Sequence, residues 1–471
     1  MASAAGSPSP SAAATRIGPS SQTQILNSQS GAPKIVPGSN KTILNTPPPQ
    51  ATVVATSPPP MPPGLEKIQH FIFIMQENRS FDEYFGTFPG ADGIPPGVCL
   101  PDPMGGPCVQ PYHDTADANR GGPHASDNSD ADINGGKMDG FVGQAYVGRI
   151  DPSTEPCMPT DKNCAPGHDP HDVMGYHDYH ELPNYWNYAG LYTLQDRMFE
   201  SVGSFSLPAH LYMLAAQSGG YVDPNHQGIP TEYDFPEITL LYGGNKVDWK
   251  YYVTSGTEPD TEDAHVIGNA TEREQNPHDY TLWNPLPAFP KVQNDPDQRG
   301  RLVDTSEFYE DAESGNLPQV SWIIPSGAVS EHAPSSVRAG MAYVTGLVNA
   351  VMQSPDWNTS VIFLAWDDWG GFYDHAVPPR VDQYGLGIRV PSMVIGPYIK
   401  QSYIDHKTYS FESWLRITEE RFGVTPMTAR DTQASDMLDA FDFTQKPRPP
   451  VLLSPTTQGS TYPQPSQTIE H

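Results

Sequence analysis

A chain of 471 residues that is 37% apolar has ample material for a core, spread over two or three average domains or one large α/β domain. Its 55 acidic against 26 basic residues leave a net charge of −29, which repels nucleic-acid backbones and anionic lipid and argues against DNA binding. No run of 18 apolar residues occurs, so no transmembrane helix is expected, and the N-terminus lacks the apolar core of a signal peptide.

Residues 1–64 are rich in Ser, Pro, Ala and Thr without any hydrophobic period, and are expected to be disordered or extended. The first ordered element is then the apolar run Phe71 to Met75, short and branched enough for a buried strand. It stops abruptly at Glu77-Asn78-Arg79-Ser80. The carboxyl ends of parallel strands open into a crevice where ligands bind, and a carboxylate beside an amide there supplies hard oxygen donors for a divalent cation. The plainer alternative is a strand end followed by a polar helix cap.

Residues 89–170 are long on Gly, Pro, Asp and Asn, and read as an elaborated loop insertion over the top of the sheet. All four cysteines, Cys99, Cys108, Cys157 and Cys164, lie within it. An even number in one loop-rich segment predicts two disulfides, most simply 99–108 and 157–164, and a secreted, periplasmic or cell-surface protein. His168, His171, His177 and His180 crowd the end of this region, with a spacing that suits either a zinc site or ordinary surface and supporting histidines.

Residues 183–201 predict a helix behind its proline and then a strand, and Leu207 to Ser218 a helix. Lys250 to Val253 and Val320 to Ile324 read as strands; Glu331-His332 follows the latter after a short loop. Val337, Met341, Val344, Val348 and Val351 repeat at helical steps and predict a helix over 336–354. Strand 361–366 comes next and ends on Asp367-Asp368, two adjacent aspartates whose repulsion a cation would relieve. Gly370 and Gly371 then allow close approach of backbone or substrate. Residues 390–396 predict a strand, 410–422 an amphipathic helix, and 447–471 a disordered tail after a catalytic domain over 65–446.

Six segments together resemble a known family: Glu77 to Asp82, Gly135 to Phe141, Ser206 to Leu211, Ser330-Glu331-His332, Asp367-Asp368, and Gly370 to His375. They are similar to the hallmarks of the bacterial and plant phosphoesterase family, which holds non-specific phospholipases C and certain acid phosphatases within the alkaline phosphatase superfamily. The resemblance runs from about Leu65 to about Phe422. It implies an α/β three-layer sandwich with a mostly parallel central sheet, and a phosphoric ester hydrolase acting on phospholipid head groups or small phosphate esters. A divalent cation (Ca, Mg, Mn or Zn) would be held by Glu77, Asn78, Asp367 and Asp368, in agreement with the strand-end reading. Any membrane contact would be peripheral.

The same resemblance assigns the nucleophile to Ser206, or to Ser204 if the match slips by two, and active-site roles to His332 and His124. Relatives usually carry Asn-Arg where this chain has Ala209-His210, and Asp-Glu-His where it has Asp367-Asp368-Trp369. The second departure leaves phospholipase C and acid phosphatase chemistry both open; the first is what would support a non-catalytic secreted binding protein keeping the fold. A sulfatase is excluded: Cys157-Met158-Pro159 begins like that motif, but Asp161 stands where an arginine is required.

Overall fold

The apolar runs recognised in the sequence line up as the middle of one sheet. In the computed structural model, which describes residues 54–150, 169–222, 229–259, 266–267 and 273–455, this sheet has eight strands. They are β1 (His70–Gln76), β2 (Thr193–Gln195), β3 (Trp249–Val253), β4 (Leu302–Asp304), β5 (Val320–Ile324), β6 (Ser360–Trp366), β7 (Ser392–Ile395) and β8 (Tyr403–Asp405). Their spatial order is β4-β3-β5-β1-β6-β7-β2-β8. All neighbours pair in parallel except β7, which runs antiparallel to both β6 and β2. The central strands β1, β5 and β6 are apolar at nearly every position because both of their faces are covered.

The helices that matter for the site are α1 (Phe81–Phe85), α2 (Ser126–Ile133), α3 (Phe141–Val147), α4 (Pro183–Leu191), α5 (Ser206–Ala215), α6 (Val337–Gln353) and α7 (Glu412–Phe422). Odd-numbered residues of β1 meet α7: Phe73 stacks on Trp414 at 4.9 Å, and Phe71 meets the ring of Phe422 edge-on at 5.6 Å. On the opposite face, Trp366 of β6 packs edge-on against Tyr185 of α4 at 5.2 Å, and Asn184 ties α4 to Thr345 of α6. Helices therefore cover both faces, the expected three layers. Phe71 to Met75 are buried, and at about 1.5–3 kcal/mol per large apolar side chain they are a major part of what holds the sheet together.

Register places the chemistry. Gln76 pairs with Trp366 at the top of β1 and β6, and Asp367 N–H donates to Gln76 O at 3.0 Å. The next residues of the two strands, Glu77 and Asp367, consequently emerge side by side.

The insertion is less irregular than its composition implies. Cys99 and Cys108 form a disulfide, flanked by a reciprocal backbone pair between Leu100 and Val109, whereas Cys157 and Cys164 lie outside the described residues. Helices α2 and α3 stand where only loop was expected. The tail also departs from expectation: Leu453 exchanges hydrogen bonds with Asn349, and Asn184 donates to Ser454 O, so the chain stays on the body of the protein through residue 455. Among the described residues no helix is long and apolar enough to cross a membrane.

Candidate active site

Asn78 leaves β1 in the left-handed region (φ 59°), a conformation asparagine tolerates better than most side chains. Its own N–H donates to Asp367 Oδ1 at 2.8 Å. Asp368 Oδ1 in turn accepts from Gly370 N–H at 2.7 Å. Each aspartate thus has one oxygen fixed by backbone and the other available to converge with its neighbours. The turn needs its glycines: a Cβ on Gly370 would lie 2.4 Å from Asn78 O, and one on Gly371 would lie 2.3 Å from Gly122 Cα.

Helix α5 brings its first turn to the same place. Ser206 Oγ lies 3.2 Å from Glu77 Oε2 and 3.5 Å from Asp368 Oδ2, and the residue is buried. It is the first helical residue rather than the N-cap, which is Phe205, so its hydroxyl is not spent on capping. Ser204 turns away and donates to Val222 O at 2.5 Å. One turn further along α5, His210 Nε2 sits 3.2 Å from Glu77 Oε1 and 4.0 Å from Asp367 Oδ2. This histidine was read in the sequence only as a departure from the family pattern. Its spacing of four from Ser206 was the available signal, since residues four apart share a helix face.

His124 Nδ1 donates to Gly122 O at 3.1 Å, so in the neutral ring Nε2 accepts from Asn78 Nδ2 at 3.0 Å. That chain of bonds fixes which way the Asn78 amide points. His332 stands 5.8 Å from His124, ring to ring, and 5.8 Å from Trp283. Its Nδ1 donates to Ala333 O at 2.9 Å, which makes Nε2 the basic nitrogen of the neutral ring.

Glu331, adjacent to His332, does not face the site. Its backbone is left-handed (φ 73°), and its carboxylate turns into the core to accept from Gln76, Tyr84, Tyr185 and Trp366. Burial raises its pKa to about 7 despite those four donors. Arg79 grips the Glu331 carbonyl through Nε and Nη2 and pairs with Glu83, so the charge in the Glu77 to Asp82 segment is structural at this position. Of the four histidines at 168–180, His168 lies outside the described residues, and the described three do not form one ligand group, since His177 is buried with Nδ1 donating to Asp114 O.

The residues fit a cation. Glu77, His210 and Asp367 each place a ligand atom within 4.8 Å of the others. Asn78 Oδ1 and Asp367 Oδ2 are buried without a hydrogen-bond partner, a costly state that a metal ion would relieve. Behind the aspartates, burial and the nearby Asp368 push the Glu200 carboxyl well above its ordinary pKa. So much acid packed around one point, with no lysine or arginine converging there among the described residues, is an electrostatic deficit of positive charge.

A model of the Phosphoesterase family matches residues 68–425. The chain belongs to the phosphoesterase family. Like its relatives, this phosphoesterase is a phosphoric ester hydrolase. It is 28% identical to phospholipase C B of Mycobacterium tuberculosis, over 83% of this chain and 80% of the relative. It is 22% identical to non-specific phospholipase C6 of Arabidopsis thaliana, over 81% of this chain and 73% of the relative. Among solved structures, a protein in the alkaline phosphatase superfamily from Vibrio parahaemolyticus aligns over 81% of this chain and 74% of its own, with 11% identity and a TM-score of 0.37.

Proposed function

We propose that this phosphoesterase is a metal-dependent hydrolase of phospholipid head groups that attacks phosphorus with Ser206. The observation that carries the reading is the place of Ser206 Oγ, 3.2 Å from Glu77 Oε2 and 3.5 Å from Asp368 Oδ2, at the first turn of α5. Glu77, Asn78, Asp367 and Asp368, with His210, would hold a divalent cation. When bound, such an ion disperses charge on the phosphoryl oxygens and lowers the hydroxyl's pKa.

The chain's own groups account for the rest. The N-terminus of α5 favours a phosphate beside Ser206. The Ser206 hydroxyl proton is directed at Glu77 Oε2. As Oγ bonds to phosphorus, the ester P–O bond breaks and the leaving alcohol takes the Nε2 proton of His332 in its imidazolium form, Nδ1 keeping its bond to Ala333 O. Water then cleaves the phosphoserine and restores both groups. His124 supports the reaction at one remove, by orienting Asn78.

The catalytic domain starts near residue 65 and takes in the chain through residue 455, and the Cys99–Cys108 disulfide supports a secreted, periplasmic or cell-surface location. The strongly acidic surface suits at most peripheral contact with zwitterionic lipid, and no nucleic-acid partner. The test is turnover of phosphatidylcholine, a chromogenic phosphodiester and a chromogenic phosphomonoester in the presence of each of Ca, Mg, Mn and Zn. Cleavage of the lipid and the diester, dependent on one of these metals, is expected. Cleavage of the monoester alone would shift the assignment to an acid phosphatase, and metal-independent turnover would remove the cation.

A further inference from the structure

A second group of ligands lies away from the active site and shares no residue with it. His113 sits on the short strand Tyr112–His113, which pairs in parallel with Gly175–Tyr176. Asp178, His180 and Glu181 follow in the turn that leads into α4. His113 Nε2 is 2.8 Å from Glu181 Oε2 and 3.6 Å from Asp178 Oδ1, while His180 Nδ1 is 2.7 Å from Asp178 Oδ1. Ligand atoms of His113, Asp178 and His180 all fall within 4.8 Å of one another.

We propose that His113, Asp178, His180 and Glu181 form a zinc site that clips the insertion to the segment preceding α4. Two imidazoles with two carboxylates are a donor set that zinc accepts in tetrahedral geometry. Bonds of about 2.0–2.2 Å in tetrahedral geometry set donor atoms roughly 3.3–3.6 Å apart; the 3.6 Å from His113 to Asp178 meets this, and the hydrogen-bonded 2.8 Å from His113 to Glu181 and 2.7 Å from His180 to Asp178 would open on binding.

Charge favours the same conclusion. With both histidines neutral the group carries −2, a part of the chain's net charge of −29, and Zn²⁺ cancels it. The rings are also braced in advance, His113 stacked on Tyr176 at 5.7 Å and His180 beside Tyr179 at 3.9 Å, so little rotamer freedom is lost on binding. Solvent reaches the group, since the His113 and His180 side chains are 32% and 56% exposed.

The clip has a structural target. Asp114, next to His113, accepts from Asn119 Nδ2 at 3.1 Å and through its carbonyl from His177 at 2.8 Å. Asn119 Oδ1 accepts from Arg79, the residue that grips the Glu331 carbonyl just before His332. A fixed His113 therefore steadies the framework under the active-site histidine.

The test compares zinc content and zinc titration of the unmutated protein with those of a His113→Ala/His180→Ala variant, after removal of metal by chelator. The unmutated protein should bind one zinc equivalent more than the variant, with affinity for that equivalent lost by more than about 100-fold, and zinc should raise its thermal midpoint. Equal zinc content in the two proteins, or binding only at millimolar zinc, overturns the site. Should the variant fail to fold, zinc-edge X-ray absorption of the Asp367→Asn protein decides. The active-site group contains one imidazole, His210, so two imidazoles per zinc identify the new site, and one or none refutes it.

Discussion

At the scale of single residues, the two side chains proposed to carry different parts of the chemistry should fail differently when removed. Ser206→Ala deletes the oxygen proposed to attack phosphorus, and loss of a covalent nucleophile should lower kcat by about four to six orders of magnitude. Metal content should survive, because the converging acids and His210 are untouched; steady-state turnover and elemental analysis of the same sample check both halves. Near-normal turnover would instead mean direct attack by water. Asp367→Asn keeps the oxygen that accepts from Asn78 N–H, but replaces the charge at Oδ2, which is buried without a hydrogen-bond partner. This variant should fold and lose most of its active-site metal; full occupancy would remove Asp367 from the ligand set. Activity in the two variants is then low for separable reasons.

Among elements, the insertion shows how local ties share a load. The Cys99–Cys108 disulfide closes a loop with a sequence separation of 9, beside the Leu100–Val109 backbone pair. A loop of this size gains about 2–3 kcal/mol from cross-linking on chain-entropy grounds. A Cys99→Ser/Cys108→Ser variant should melt a few degrees lower while keeping its turnover, read by differential scanning calorimetry and a phosphodiester assay. A large fall in activity would show that this hairpin shapes the site. The central strands, in contrast, were legible in the chain itself, because β1, β5 and β6 are apolar at nearly every position and α6 repeats its valines at helical steps. Strands β4 and β8 were not, since three residues leave no room for a period. Helix α2 hid for another reason: it buries Asn128, Ser129 and Asp132 rather than an apolar stripe, and is held through Trp369 Nε1 to Asp132. The direction of β7 is equally invisible, because an apolar run reads the same whether it pairs in parallel or not. At the site, acids at strand ends announced themselves by position. His210 depends on how α5, buried on every side, is turned toward Glu77, and the inward turn of Glu331 on a left-handed backbone, neither of which a pattern of residue types records.

For the molecule as a whole, buried acids set the direction in which pH acts on stability. Burial raises Glu419 of α7 to about 10, with the neighbouring Asp431 adding to the effect, and raises Glu237 and Glu331 to about 7. The folded protein therefore holds protons on these groups that the unfolded chain, titrating near 4.5, has already released. Stability from this source is complete below about pH 4.5 and declines as pH rises, through about 7 for Glu237 and Glu331 and about 10 for Glu419. Each such group contributes a slope of up to about 1.4 kcal/mol per pH unit inside its window. Glu419 spans the widest window and lies in α7, which packs on β1 through Trp414 and Phe422. Glu419→Gln keeps the shape and the uncharged state but cannot ionise in the unfolded chain. The thermal midpoint of the unmutated protein should fall between pH 5 and pH 8, and that of the variant should fall less, so that the two curves converge at the acid end. Parallel curves over that range, recorded by scanning calorimetry at fixed ionic strength, would show that Glu419 is ionised in the fold.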